Sequence, residues 1–221
     1  MGAAAGRRCD TGRTRQLRQV WKAAPGRQAR LGRGGSVAET RTGDAALEGL
    51  LERLRSAHGR LDGLRPAVEA GAPWPLAERF GTEPEAHWGP PEVLAHVAEM
   101  LPFWLGEAER VLDAPVEPAP FGRTATDQLR IATIERDRTL PIGELFDRID
   151  SDIARYERRL PQLTEVQAAR RGLHPTRGEV TVTEAIERFV VSHLEEHVEQ
   201  LAAALAEGDG PSGATPDGGR R

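Results

Sequence analysis

The chain has 221 residues, 38% of them apolar, 29% charged and only 5% aromatic, which supports one core built mainly from Leu, Val, Ala and Ile. Its total charge of −4 is unevenly placed: residues 1–43 hold ten Lys/Arg against Asp10 and Glu39, so the remainder carries −12, and an acidic globular part argues against nucleic acid as its partner. Cys9 is the only cysteine and no run of 18 apolar residues occurs, which excludes a disulfide framework, a thiolate metal site and a membrane-spanning helix and leads us to expect a cytoplasmic location.

Residues 1–43 are rich in Gly, Arg and Ala and nearly aperiodic, the composition of a disordered basic extension. A transit peptide or a nucleic-acid-binding arm fits the same composition. No apolar stretch follows Arg7-Arg8, so no twin-arginine signal is read, and Met1-Gly2-Ala3 is not followed by the Ser or Thr of a myristoylation site.

The globular domain is expected over residues 44–207. A first helix should run from about Ala45 to Val68 with Asp44 as its N-cap; Leu47, Leu54, Leu61 and Val68 recur every seven residues and form the seam of an antiparallel bundle. Residues 71–88 read as a connection containing Pro73, Pro75, Gly81 and Pro84. A second helix opens at Pro90-Pro91, where a missing N–H is harmless, and runs to about Asp113 along Val93, Val97, Met100, Trp104 and Val111. His96 sits at the edge of that stripe, and Pro102 lies within it.

After a Pro-rich break at residues 114–120, a shorter helical segment spans about Thr126 to Arg138. A third long helix follows from Pro141 to Leu160, facing inward through Leu145, Phe146, Ile149, Ile153 and Tyr156. Residues 161–180 read as connection. The fourth long helix starts with the capping box Thr181-Val-Thr-Glu184 and closes near Gly208. Residues 208–221 read as a disordered tail. No segment has the period-2 alternation of a strand. The expected fold is an all-α four-helix bundle.

Six histidines are present. His174, in a Pro/Gly loop, and His87, just before the second helix, read as structural or solvated, and His58 as a partly exposed flank. His193 and His197 differ: on a helix drawn from Val182 at about 100° per residue they lie about 40° apart, in the middle of the apolar stripe. Burying two imidazoles without partners costs a few kcal/mol, and two histidines at i, i+4 can grip one metal ion. The metalloprotease order His-Glu-x-x-His fails because Leu194 stands where Glu is needed. His193-Leu-Glu-Glu196-His197 matches the inverted order, but the further carboxylate ligand that chemistry needs has no place in the short remaining chain.

Two stretches resemble one family. Trp88-Gly-Pro-Pro-Glu92-Val-Leu-Ala-His96-Val is similar to the opening of the second helix of DinB/YfiT-like proteins, and Thr181-Val-Thr-Glu-Ala-Ile through His193-Leu-Glu-Glu-His197 is similar to their closing helix. The resemblance covers about residues 45–207. It implies a four-helix bundle related to the N-terminal domain of mycothiol-dependent maleylpyruvate isomerase, with His96, His193 and His197 holding a divalent metal (zinc, or nickel, iron or manganese) beside a pocket.

Three neutral imidazoles leave such an ion its full charge and an open position. The resemblance favours activation of a low-molecular-weight thiol, mycothiol or one like it, for S-transfer to a small electrophile. Hydrolysis of a small amide-type substrate is the alternative chemistry, and a metal-stabilised binding or dimerisation module without turnover is the non-enzymatic one, with His58 as a candidate fourth ligand in a closed site. Glu196 is the candidate orienter or general base, against the plain reading of a solvated surface residue, and Gln200 could hydrogen-bond a ligand histidine. Trp88 and Trp104 read as packing residues. The expected partners are a small thiol and an electrophile, with neither nucleic acid nor membrane; a homodimer is compatible.

Overall fold

A computed structural model describes residues 45–77 and 85–208. The basic extension, the Asp44 cap and the tail after residue 208 lie outside the described residues, as do positions 78–84.

Four long helical elements form the bundle. They are α1 (Ala45–Ala70), α2 (Pro90–Asp113), α4 (Ile142–Arg159) and the closing helix, which is built from α6 (Val182–Ile186), a π-turn at Glu187–Val191 and α7 (Ser192–Gly208). Both α1 and α2 pack against α4 and against α7. The heptad leucines do what their spacing predicts: Leu47, Leu54, Leu61 and Val68 are all at most 3% exposed. From α4, Leu145, Phe146, Ile149, Ile153 and Tyr156 meet them, and the buried Tyr156 hydroxyl donates to the Leu101 carbonyl at 2.7 Å. The shorter α3 (Gln128–Asp137) is capped by Asp127, whose side chain accepts from the Arg130 N–H, and it leans on α2.

One expectation is corrected. The connections contain strands: β1 (Ala119–Pro120) pairs in parallel with β2 (Arg171–His174), which pairs antiparallel with β3 (Gly178–Thr181). These runs of two to four residues are too short to show alternation, and Pro and Gly within them mask what little there is. A short helix, α5 (Glu165–Ala168), also lies in the expected connection, opened by a Thr164/Gln167 capping box. The Thr181/Glu184 box opens the closing helix as the sequence predicts. No described helix is long and apolar enough to cross a membrane.

The π-turn sets the phase of everything after it. The Ser192 N–H bonds to the Glu187 carbonyl, one residue further back than in an α-helix. That added residue turns each later position back by about 100° relative to a straight helix. Leu194 and Leu201, each 0% exposed, and Val198 now define the buried stripe. His197 stands beside it, buried, and His193 falls at its edge with a side chain 27% exposed. The expectation that both rings leave the centre of the stripe is corrected accordingly. Arg53 of α1 braces this turn. Its guanidinium donates to both carboxylate oxygens of Glu195 at 3.0 and 2.7 Å, to the Ser192 hydroxyl at 3.1 Å and to Glu187 at 3.1 Å, and it holds the Glu195 carboxyl below its ordinary pKa.

Candidate metal centre

His96 belongs to the first half of α2, His193 and His197 to the first half of α7, and the packing of these two helices brings the rings together. His193 Nε2 lies 3.0 Å from His96 Nε2 and 3.2 Å from His197 Nε2. The far side of each α7 ring faces an acceptor: His193 Nδ1 meets Glu196 Oε2 at 3.2 Å, and His197 Nδ1 meets Gln200 Oε1 at 3.0 Å. The Gln200 amide cannot be turned round, because its NH2 group donates to the backbone carbonyls of Glu85, at 2.5 Å, and Trp88, at 3.3 Å. Neutral His193 and His197 therefore carry their protons on Nδ1, and their Nε2 lone pairs face one another with no donor between them. Burial and the neighbouring His193 lower the His197 pKa to about 4, and burial pushes His96 well below the ordinary value. Both rings are neutral at pH 7.

His193 Nε2 at 3.0 and 3.2 Å from the Nε2 atoms of His96 and His197 is a spacing that suits a cation. Donor atoms bonded at ~2.0–2.1 Å to one ion stand about 2.9–3.4 Å apart between octahedral and tetrahedral geometry. His96 Nδ1 is buried without a hydrogen-bond partner among the described residues, which leaves its ring anchored by packing, edge-on to Trp88 at 5.5 Å. The residues present thus fit a divalent metal.

A carboxylate that sequence reasoning missed joins them. Glu85, in a 3₁₀ turn at Glu85–His87, completes a group of four whose ligand-type atoms all lie within 4.8 Å of one another. Its Oε2 is 3.7 Å from Nε2 of both His193 and His197, while its Oε1 is held by Arg130. Glu85 stands in the Pro/Gly connection, where no periodicity marks it. The indirect signal is its place three residues ahead of Trp88, whose motif fixes the neighbouring helix.

The other histidines lie apart from this group. His58 pairs with Asp150 of α4 at 2.7 Å, which removes it as the fourth ligand. His87 is exposed. His174, expected in a loop, lies buried in β2, accepts the Thr176 N–H at 3.2 Å and stacks on Phe189 at 5.0 Å. Glu92, the glutamate of the Trp88–His96 motif, has a structural role: wholly buried, it accepts the Ala77 N–H at 2.8 Å and the Arg138 guanidinium at 3.0 Å, tying the connection to α2. Trp88 packs as expected, 3% exposed, whereas Trp104 lines a cavity. That cavity, of about 680 Å³, opens beside the histidines and includes Glu85, His96, His193 and Glu196 in its wall.

A four-helix bundle carrying three convergent imidazoles and a cavity beside them defines a class of small helical proteins with a candidate metal centre. The chain belongs to the DinB superfamily: the model of that superfamily matches residues 45–201. No curated protein matches it.

Proposed function

We propose that this protein is a metal-dependent enzyme that activates a small thiol, mycothiol or one like it, for S-transfer to a small electrophile. The observation that supports this reading most is the pair of Nε2 lone pairs of His193 and His197, whose Nδ1 protons are committed to Glu196 and Gln200. His96, His193 and His197 would hold the ion. A divalent metal bound there supplies Lewis acidity, which favours a thiolate over a thiol at neutral pH.

The protein's own groups supply the rest. Gln200 and Glu196 fix the two α7 rings from behind. Glu196 is 73% exposed, so it acts as an orienter of His193 that solvent also reaches. Glu85 Oε2 faces the same point as the imidazoles, and is the carboxylate placed to receive the proton that a bound thiol gives up. Arg130, on the other Glu85 oxygen, keeps that carboxylate aimed. The hydrolytic alternative uses the same groups on water. Glu85 also favours it, because a carboxylate beside the ligands suits a water nucleophile.

The test is spectroscopic. Cobalt-substituted protein titrated with mycothiol should develop a thiolate-to-cobalt charge-transfer band, and His193→Ala protein should not. An unchanged spectrum with mycothiol, glutathione and cysteine in turn would remove the thiol-transfer reading.

A further inference from the structure

The cavity beside the histidines is basic, although residues 44–221 carry a net −12. Four arginines line it, against Glu85 and Glu196. Two of the four are already matched. Arg123 pairs with Glu99 at 2.5 Å and lies over the Phe103 ring at 3.6 Å, and Arg130 pairs with Glu85. Arg177 and Arg188 are different. Both are exposed, and neither forms an ion pair among the described residues.

The carboxylates around these two arginines are committed elsewhere. Glu179 pairs with Arg171 at 2.7 Å, Glu187 with Arg53 at 3.1 Å, and Glu196 with His193 at 3.2 Å. Glu184, whose charge Arg188 feels, spends its carboxylate on the Thr181 N–H at 2.7 Å and hydroxyl at 3.0 Å. Arg177 comes from the turn between β2 and β3, and Arg188 from the π-turn, so two unrelated elements deliver unmatched guanidinium groups to one cavity wall. The same cavity offers ring surface from Phe189 and Trp104, stacked on each other at 4.3 Å.

We propose that Arg177 and Arg188 form an anion subsite that binds the carboxylate of a small organic acid whose flat apolar body lies along Phe189 and Trp104. Guanidinium groups bind carboxylates through paired, charge-assisted hydrogen bonds. An apolar wall with a few convergent polar groups is the usual make-up of a small-molecule site. The assignment names the substrate class of the reaction proposed above and rests on that reading only for its chemistry, since the subsite contains no metal ligand.

The experiment is a calorimetric titration with phenylacetate and with its neutral isostere phenylacetamide. It is run on metal-loaded wild-type protein, on the same protein stripped with a chelator, and on the Arg177→Gln/Arg188→Gln double variant. Glutamine keeps a polar side chain at two exposed positions while removing the charge, so the fold is not at stake. Phenylacetate should bind wild-type protein about tenfold or more tightly than phenylacetamide, and the double variant should lose about that factor while keeping its metal content. Stripping the metal should change phenylacetate affinity less than about threefold, a shift well below one charge-assisted contact. Equal affinities for acid and amide, no detectable phenylacetate binding, or an affinity untouched in the double variant would each overturn the subsite. Binding that disappears with the metal would also overturn it, by placing the carboxylate on the metal centre, and would leave the metal reading standing. Arginine-dependent binding in a protein that takes up no metal would do the reverse.

Discussion

Gln200 holds His197 from behind, with Oε1 3.0 Å from Nδ1, and is itself held by the carbonyls of Glu85 and Trp88. One side chain thus links a candidate ligand on α7 to the turn that carries the carboxylate of the site. Replacing it with Leu removes the acceptor for the His197 proton and frees the ring to take the other tautomer. Gln200→Leu should weaken zinc binding about 10–100-fold, the range seen when such supporting partners are removed. Competition with a chromophoric chelator measures it. Glu196→Gln should do less, because its carboxylate is mostly in solvent.

Acid should destabilise the metal-free protein. His197 titrates at about 4 when folded, mainly because it is buried. In an unfolded chain a histidine titrates at about 6.5. Between those values the unfolded state binds more protons, so stability is complete above about pH 6.5 and is lost as the pH falls towards 4. The loss due to His197 is on the order of 3 kcal/mol. Urea denaturation of chelated protein between pH 7 and 4 should show the decline, and His197→Gln should make it shallower, with buried His96 supplying part of what remains. Parallel curves for the two proteins would contradict the assignment.

Gly122 admits no side chain. Its φ is +76°, and a Cβ there would lie 2.5 Å from His174 Cδ2. The His174 ring cannot yield easily, being packed on Phe189 and fixed through Nδ1 by the Thr176 N–H. Gly122→Ala should cost about 1–3 kcal/mol from the backbone conformation alone, read as a lower denaturation midpoint, with metal content retained because His174 lies outside the metal group.

The elements that reveal themselves in the sequence are those whose periodicity spans several turns. The heptad of α1, the Pro90-Pro91 start of α2 and the Thr181/Glu184 box are local signals for local structure, and each is seen where it was expected. The histidines were legible because two of them share a turn and the third has a motif around it. The π-turn was not legible: nothing in Glu187–Val191 marks an extra residue, and only the burial of both Val190 and Val191, followed by Leu194, betrays it. Glu85, Arg177 and Arg188 come from turns, where position depends on tertiary packing rather than on period. The side chains that turns bring to this cavity therefore lay beyond sequence reasoning, although the three candidate metal-binding histidines did not.

Three imidazoles converging on one point is the claim on which the function stands, and metal stoichiometry tests it most directly. Purified protein supplied with zinc should retain about one ion per chain after exhaustive dialysis. His193→Ala and His197→Ala should retain almost none while keeping the helical far-ultraviolet spectrum of the bundle. Metal content equal in wild type and both variants, or a wild type that retains no metal, would contradict the account.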